Sequence, residues 1–122
     1  MLREVTRDLF RRYGGVIAAT DRTGDPFAAD PRLSLDNLAW LCRQGEVEAL
    51  ALPLDKLSRW LGFVQGCLAM RRLIDVDGER EATRPAFHRA YAAQGLERPA
   101  TIARRIACPA AGPAPAALPR LD

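Results

Sequence analysis

The amino-acid sequence predicts an all-α fold, a small helical bundle of three to four helices with a long central helix and a Pro/Ala-rich C-terminal tail. Apolar residues recur at helical spacing in several segments of the first three quarters of the chain, and residues that start or stop helices flank these segments. Prolines crowd the chain beyond Leu96. We therefore expect an N-terminal helix and linker at 1–33, a helical core at 34–95 and a flexible tail rich in Pro, Ala and Arg at 96–122.

The first predicted helix begins near Leu2, and its apolar residues fall on one face at steps of three and four. Gly14 and Gly15 are predicted to end it, because glycine favours the left-handed conformation common at helix ends. Between Asp21 and Arg32, a glycine and two Asp-Pro pairs predict a loop.

The second predicted helix begins after Ser34, which is a strong N-cap residue. Gly45 either ends this helix or weakens it by about 1 kcal/mol. Pro53 stops any continuation, because proline lacks the backbone N–H that a helix interior requires.

The third predicted helix runs from about Leu54 to Ile74 and is the clearest element of the sequence. Asp55 in its first turn favours its start. Trp60 lies on the main apolar face, which predicts that it anchors the core. Since Phe63 belongs to a second apolar strip, we expect little of this helix to face water.

Small residues form a third strip along the same helix, at Ser58, Gly62 and Gly66. Two glycines inside a helix cost about 2 kcal/mol relative to alanine, so tight packing is expected to compensate. The strip therefore predicts close contact with another helix, either of the same chain or of a second copy in a homodimer.

The fourth predicted helix covers Glu79 to Gln94. Pro85 is expected to kink it or to start a new helix, with Thr83 as the cap of the restart. Gly95 is expected to end it. The chain beyond Gly95 is predicted to be dispensable for folding, because its prolines and few large apolar residues do not build a core.

The composition is that of a globular protein, with 48% hydrophobic and 27% charged residues. No apolar run approaches the roughly 18 residues of a membrane span, and no signal peptide is evident, so we expect a cytoplasmic protein of a host cell. Cys42, Cys67 and Cys108 are odd in number and widely spaced, which predicts free thiols rather than disulfides.

Catalytic and metal-binding patterns are missing from the sequence, so we expect neither an enzyme nor a cofactor. His88 is the only histidine, and no local motif pairs it with a cysteine nucleophile. The cysteines lack the close pairing typical of zinc ligands. Alternating acids from Asp75 to Glu81 lack the glycine and distal glutamate of a calcium loop, and Asp75 and Asp77 fit helix capping instead.

The net charge of +3 comes almost entirely from arginine, since Lys56 is the only lysine among 18 basic residues. Residues 34–95 carry eight acids and eight bases, so the predicted core is neutral and lacks the basic face typical of duplex binders. Nucleic-acid binding remains an alternative, with phosphate contacts at Arg71, Arg72, Arg84, Arg104 and Arg105.

One predicted helical block of the chain contains the segments DK at 55–56, RWLGFVQG at 59–66, DGER at 77–80, TRP at 83–85 and FH at 87–88 with Tyr91, and it leaves out the first 33 residues and the tail. Together these segments resemble small proteins of unknown function encoded by phages and prophages. The resemblance implies a phage origin and, because such proteins mostly act by binding, a protein partner.

These observations lead to three hypotheses. The first is a non-catalytic, phage-derived protein-interaction module, of which an inhibitor of a host enzyme or host defence complex is one form. The second is a small DNA- or RNA-binding transcriptional regulator. The third is a virion assembly component, in which neighbouring subunits would order the proline-rich tail.

Overall fold

The computed structural model describes residues 1–97, and the remaining 98–122, which include most of the predicted tail, lie outside the described residues. Four α-helices make up the described part of the chain: α1 Leu2–Ala18, α2 Leu35–Glu48, α3 Leu54–Met70 and α4 Val76–Ala93. A single 3₁₀ turn, Arg22–Gly24, lies in the loop between α1 and α2. No strand occurs in this part of the chain, so the prediction of an all-α bundle is confirmed.

The core lies between the apolar faces of α1, α2 and α3. α1 packs against each of the other three helices, whereas α4 packs mainly on α1 and buries only Ala90. The largest fully buried side chains are those of Tyr13, Phe10, Ile17, Leu38, Leu57, Leu68, Val64 and Cys42. α4 is therefore the helix least covered by the rest of the bundle.

α1 does not end at Gly14 and Gly15, and that prediction is wrong. The helix continues to Ala18, and Ile17 in its last turn is fully buried. Burial of an isoleucine side chain stabilises by about 1.5 to 3 kcal/mol. Two glycines cost about 2 kcal/mol, so packing of the last turn offsets their weak helix propensity.

α2 begins as predicted, because the Ser34 side chain accepts a hydrogen bond from the backbone N–H of Asn37 at 3.1 Å. Gly45 does not end this helix. It is buried, and a Cβ atom at its position would lie 2.5 Å from the Phe10 ring of α1. Glycine at this point therefore allows α1 and α2 to approach closely.

α3 begins at Leu54 as predicted but ends at Met70, before the predicted end at Ile74. Arg72 adopts a left-handed conformation with φ of 60°. The backbone N–H of Leu73 then donates to the carbonyl oxygen of Leu68 at 3.0 Å, which closes the helix in a Schellman motif.

The prediction that little of α3 faces water is also wrong. Phe63 and Met70 expose 39% and 85% of their surfaces, and the small-residue strip is exposed. Trp60 packs against the core but is only half-buried, so it is not the core anchor that the pattern predicts.

α4 starts earlier than predicted, because the Asp75 carboxylate caps it by accepting the N–H of Gly78 at 2.7 Å. The helix is continuous through Pro85. Thr83 does not cap a restart, since its hydroxyl donates to the carbonyl oxygen of Glu79 within the helix at 2.8 Å. Gly95, with φ of 68°, follows the end of the helix as predicted.

Candidate functional site

A groove between α2 and α3 contains both tryptophans of the chain. Its volume is about 590 Å³, larger than that of the cavity between α3 and α4 described below. We call it the aromatic groove, and it is lined by Asp30, Arg32, Leu33, Asn37, Trp40, Leu41, Trp60 and Phe63. The groove therefore combines three aromatic side chains with a few polar ones.

Helical spacing explains how the aromatic side chains reach the groove. Trp60 and Phe63 are three residues apart on α3, and Asn37 and Trp40 are three apart on α2, so each pair shares one helix face. Trp40 exposes 47% of its surface, and Phe63 exposes 39%. Large aromatic side chains that face solvent together in one groove are candidate contact residues for a binding partner.

Lys56 lies over the Trp60 ring, with its Nζ atom 5.3 Å from the ring centroid. A cation at this distance from an indole face is held by a cation–π interaction. It also places one positive charge beside the aromatic groove, next to an apolar surface.

The loop residues that line the groove are fixed by hydrogen bonds. One carboxylate oxygen of Asp30 accepts the backbone N–H groups of Arg32 and Leu33 at 2.8 and 3.0 Å. These two bonds lower the pKa of the Asp30 carboxyl group. The Asn37 side-chain amide donates to the carbonyl oxygen of Arg32 at 2.7 Å, which ties the loop to α2.

Arg71, the residue that follows α3, positions the same loop. Its guanidinium, 9% exposed, pairs with the Asp25 carboxylate, 2% exposed, at 3.2 Å. It also donates to the carbonyl oxygens of Leu33 and Cys67, and it stacks 4.9 Å from the centroid of the Phe27 ring. Because the Arg71 guanidinium is buried and already paired with groups of the same chain, it is not available to contact a phosphate.

Asp25 completes this link, because its second carboxylate oxygen accepts the N–H of Leu35, the first residue of α2, at 2.8 Å. Burial opposes its ionisation, but the N–H bonds from Leu35 and Phe27 and the Arg71 charge outweigh that effect and lower the pKa of Asp25. The Asp25–Arg71 pair therefore joins the start of α2 to the end of α3, the two helices that form the groove.

The other candidate phosphate contacts have different surroundings. Arg72 is exposed at the end of α3, and Arg84 pairs with Glu81 of its own helix at 2.9 Å. Arg104 and Arg105 lie outside the described residues. Of the arginines within residues 1–97 that the second hypothesis names, only Arg72 is exposed and forms no ion pair in that part of the chain.

The strip of Ser58, Gly62 and Gly66 is exposed. No heavy atom of the described residues beyond the local helix lies within 4 Å of a Cβ built at either glycine. The prediction that this strip contacts another helix within residues 1–97 is therefore wrong, because α4 packs on α1 and leaves this face of α3 open. Contact with a second copy of the chain stays a prediction.

A second cavity, of about 240 Å³, lies between α3 and α4. At its edge, the fully buried Tyr13 hydroxyl donates to Glu79 at 3.0 Å and accepts from Gln65 at 2.9 Å. Arg12 pairs with the same Glu79 carboxylate at 2.7 Å. Burial, aided by the Glu79 charge, raises the pKa of Tyr13 to about 12, so this network connects α1, α3 and α4 with a neutral phenol.

The described thiols are poor nucleophiles. Burial raises the pKa of Cys42 to about 11 and also raises the pKa of Cys67. Thiols with raised pKa values carry little thiolate at neutral pH. His88 is half-buried on α4, and Cys108 lies outside the described residues. Within residues 1–97, no group of three or more His, Cys, Asp or Glu side chains is arranged to hold a metal ion.

Sequence reasoning missed the aromatic groove, because it assigned Trp60 to the buried face of the third helix. Periodicity places a residue on a helix face but does not say whether another helix covers that face. The available signal was that apolar residues surround nearly all of α3, more than a bundle of this size buries.

Comparisons with protein-family models, with curated proteins and with solved structures gave no match to this chain. Among the described helices, none has both the length and the apolar character needed to cross a membrane.

Proposed function

We propose that this protein is a non-catalytic protein-interaction module whose partner docks in the aromatic groove. The observation that carries the proposal is the exposure of Trp40 and Phe63 beside the half-buried Trp60 in one groove of about 590 Å³. Tryptophan side chains dominate the energetic centres of protein interfaces because they bury a large apolar area and lose little entropy.

A protein partner fits this groove better than a nucleic acid. Two cations, Lys56 and Arg32, lie at the groove together with the Asp30 carboxylate, and Arg71 behind the loop is already paired with Asp25. Phosphate binding depends on several unpaired cations along one surface. Of the activities that the phage resemblance implies, inhibition of a host enzyme or defence complex through an apolar surface agrees best with this arrangement.

The proposal is tested by photo-crosslinking from inside and outside the groove. A photoreactive phenylalanine analogue replaces Trp40 in one variant and Val47 in the control. Both residues are exposed on α2, at 47% and 80%. We expect a discrete crosslinked protein in cell lysate from position 40 and none from position 47.

The affinity of alanine variants for the purified partner then shows which side chains contribute most of the binding free energy. We expect Trp40→Ala and Phe63→Ala to weaken affinity by about thirtyfold each, the effect of a hot-spot contact worth about 2 kcal/mol. Met70→Ala is the matched control on α3, since Met70 is 85% exposed and does not line the groove. Undiminished binding by both groove variants would refute the proposal.

The salt dependence of that binding distinguishes a protein partner from a nucleic acid. Docking on an apolar groove responds weakly to salt, whereas phosphate contacts make affinity fall steeply between low and physiological salt. A steep decline, together with loss of binding on substitution of Arg72, would support the regulator hypothesis instead.

A further inference from the structure

The side chains of the aromatic groove offer more hydrogen-bond donors than acceptors. Within residues 1–97, neither indole N–H of Trp40 and Trp60 donates a hydrogen bond. The Asn37 amide uses one of its N–H groups on the loop, and Arg32 is exposed. One oxygen of the Asp30 carboxylate already accepts two backbone N–H groups, which leaves the other Asp30 oxygen and the Asn37 amide oxygen as acceptors.

A groove with this chemistry is complementary to a proline-rich segment. Proline has no backbone N–H, while its carbonyl oxygens remain free to accept hydrogen bonds. Its ring packs on aromatic faces, which is how several interaction domains recognise extended proline-rich ligands with little entropic cost. A helix, whose carbonyl oxygens are already bonded, would leave the donors of the groove without partners.

The chain itself contains such a segment. Residues 106–119 read IACPAAGPAPAALP and carry no charged side chain. Pro109, Pro113, Pro115 and Pro119 fall in this segment, and Arg105 and Arg120 flank it.

The segment is close enough in sequence to reach the groove. Between Glu97, the last described residue, and Pro109, an extended chain spans about 40 Å. A domain of this size has a diameter of roughly 30 Å. Tethering over this length gives an effective concentration in the millimolar range, so even a weak intrinsic affinity keeps the groove occupied.

We infer that residues 109–119 of the same chain bind the aromatic groove and compete there with the partner protein. The inference rests on the proposed function for the location of the groove. It adds that the partner must displace this segment, so binding of the partner is weakened by a contact within the chain.

Tryptophan fluorescence of the full chain tests the inference, because the only two tryptophans both line the groove. One variant replaces Pro109, Pro113, Pro115 and Pro119 with serine. We expect its acrylamide quenching constant to rise by about twofold or more, since tethering keeps the wild-type groove occupied. A control variant with serine at Ala100, Ala103 and Ala107 should quench like wild type.

A synthetic peptide of residues 106–120 provides an independent test. Added to the proline variant, it should restore the wild-type quenching constant with a saturable dependence on concentration. Protection of the wild-type tryptophans from acrylamide should not change when the protein is diluted, because the contact lies within one chain. Equal quenching of wild type and the proline variant would overturn the inference, as would failure of the peptide to protect the tryptophans from acrylamide. Protection of the wild-type tryptophans that disappears on dilution, together with a halved molecular mass, would also overturn it, because the segment would then bind a second copy of the chain.

The outcome distinguishes the inference from the proposed function. If the proline variant quenches like wild type but Trp40→Ala still weakens partner binding, the inference fails and the proposed function stands. If Trp40→Ala and Phe63→Ala leave partner binding unchanged, the proposed function fails whatever the quenching shows. If both hold, the proline variant should bind the partner more tightly than wild type.

Discussion

The Phe10 ring lies directly against the backbone of Gly45, in the space that any larger residue at position 45 would need. A Cβ atom there would lie 2.5 Å from both Cδ2 and Cε2 of the ring, far inside van der Waals contact. Phe10 is fully buried, and in a close-packed core its ring moves only by displacing its neighbours. This one glycine therefore determines how closely α1 and α2 pack.

We expect Gly45→Ala to destabilise the fold. Overpacking of a core costs about 1 to 3 kcal/mol, which exceeds the gain of about 1 kcal/mol in helix propensity. Urea unfolding monitored by circular dichroism measures the change. Combining Gly45→Ala with Phe10→Leu should recover part of the loss, because the two substitutions share one contact. Strict additivity would contradict the assignment.

Gly62→Ala and Gly66→Ala are expected to have the opposite effect. Nothing lies within 4 Å of a Cβ at either position, so each substitution gains up to about 1 kcal/mol of helix propensity without a clash. Light scattering of the same variants tests the remaining dimer hypothesis. Destabilisation of both variants with loss of a dimer would show that a second copy packs on this strip.

The contrast between these glycines shows where sequence reasoning works and where it does not. Ser34 and Gly95 act through bonds to residues a few positions away, so their capping roles were predictable. Gly45 and Gly62 have the same local signature, and only the fold determines which of them meets another helix. The burial of Ile17, which extends α1, likewise depends on residues distant in sequence.

The candidate site was less predictable than the fold for the same reason. The arginine pair at 71–72 reads as two equivalent phosphate contacts. In the structure Arg71 pairs with Asp25, a residue 46 positions away, while its neighbour is exposed. Neither helical periodicity nor net charge predicts the Arg71–Asp25 ion pair.

Arg72→Gly is expected to stabilise the protein. Left-handed backbone costs a non-glycine residue about 1 to 2 kcal/mol, and Arg72 has φ of 60° with an exposed side chain. Thermal unfolding should show a gain of about 1 kcal/mol. Gly95→Ala is the matched control, because Gly95 occupies the same kind of position after α4, with φ of 68°. The free energy of unfolding of this variant should fall by a similar amount. No gain for Arg72→Gly would mean that its side chain stabilises the fold.

Tyr13→Phe is expected to cost about 1 to 3 kcal/mol, because it leaves Gln65 and Glu79 without a buried hydrogen-bond partner. The raised pKa of about 12 adds a pH dependence. The unfolded phenol ionises near its ordinary value of 10.0 while the folded one remains neutral, so wild type loses stability as pH rises between these values. The difference between wild type and Tyr13→Phe should therefore shrink above about pH 10.

Asp25→Asn tests the buried pair that links α2 and α3. Removal of one partner leaves the buried Arg71 charge uncompensated, which typically costs about 3 to 5 kcal/mol. Asp36→Asn is the matched control, because Asp36 pairs with Arg22 on the surface and such pairs contribute at most about 1 kcal/mol. Chemical denaturation should separate the two variants clearly.

The pH dependence of Asp25→Asn identifies the charge as the cause. The folded pKa of Asp25 lies below its ordinary value of 3.8, so the stability that ionisation contributes is complete above that value and is lost as pH falls through the folded pKa. The difference in unfolding free energy between wild type and Asp25→Asn should stay constant from about pH 7 to pH 5 and narrow below about pH 4. A difference that persists unchanged at lower pH would assign the loss to packing rather than to the Asp25–Arg71 ion pair. Because this pair holds the loop that lines the aromatic groove, the tryptophan emission should change together with the stability in Asp25→Asn and remain as in wild type in Asp36→Asn.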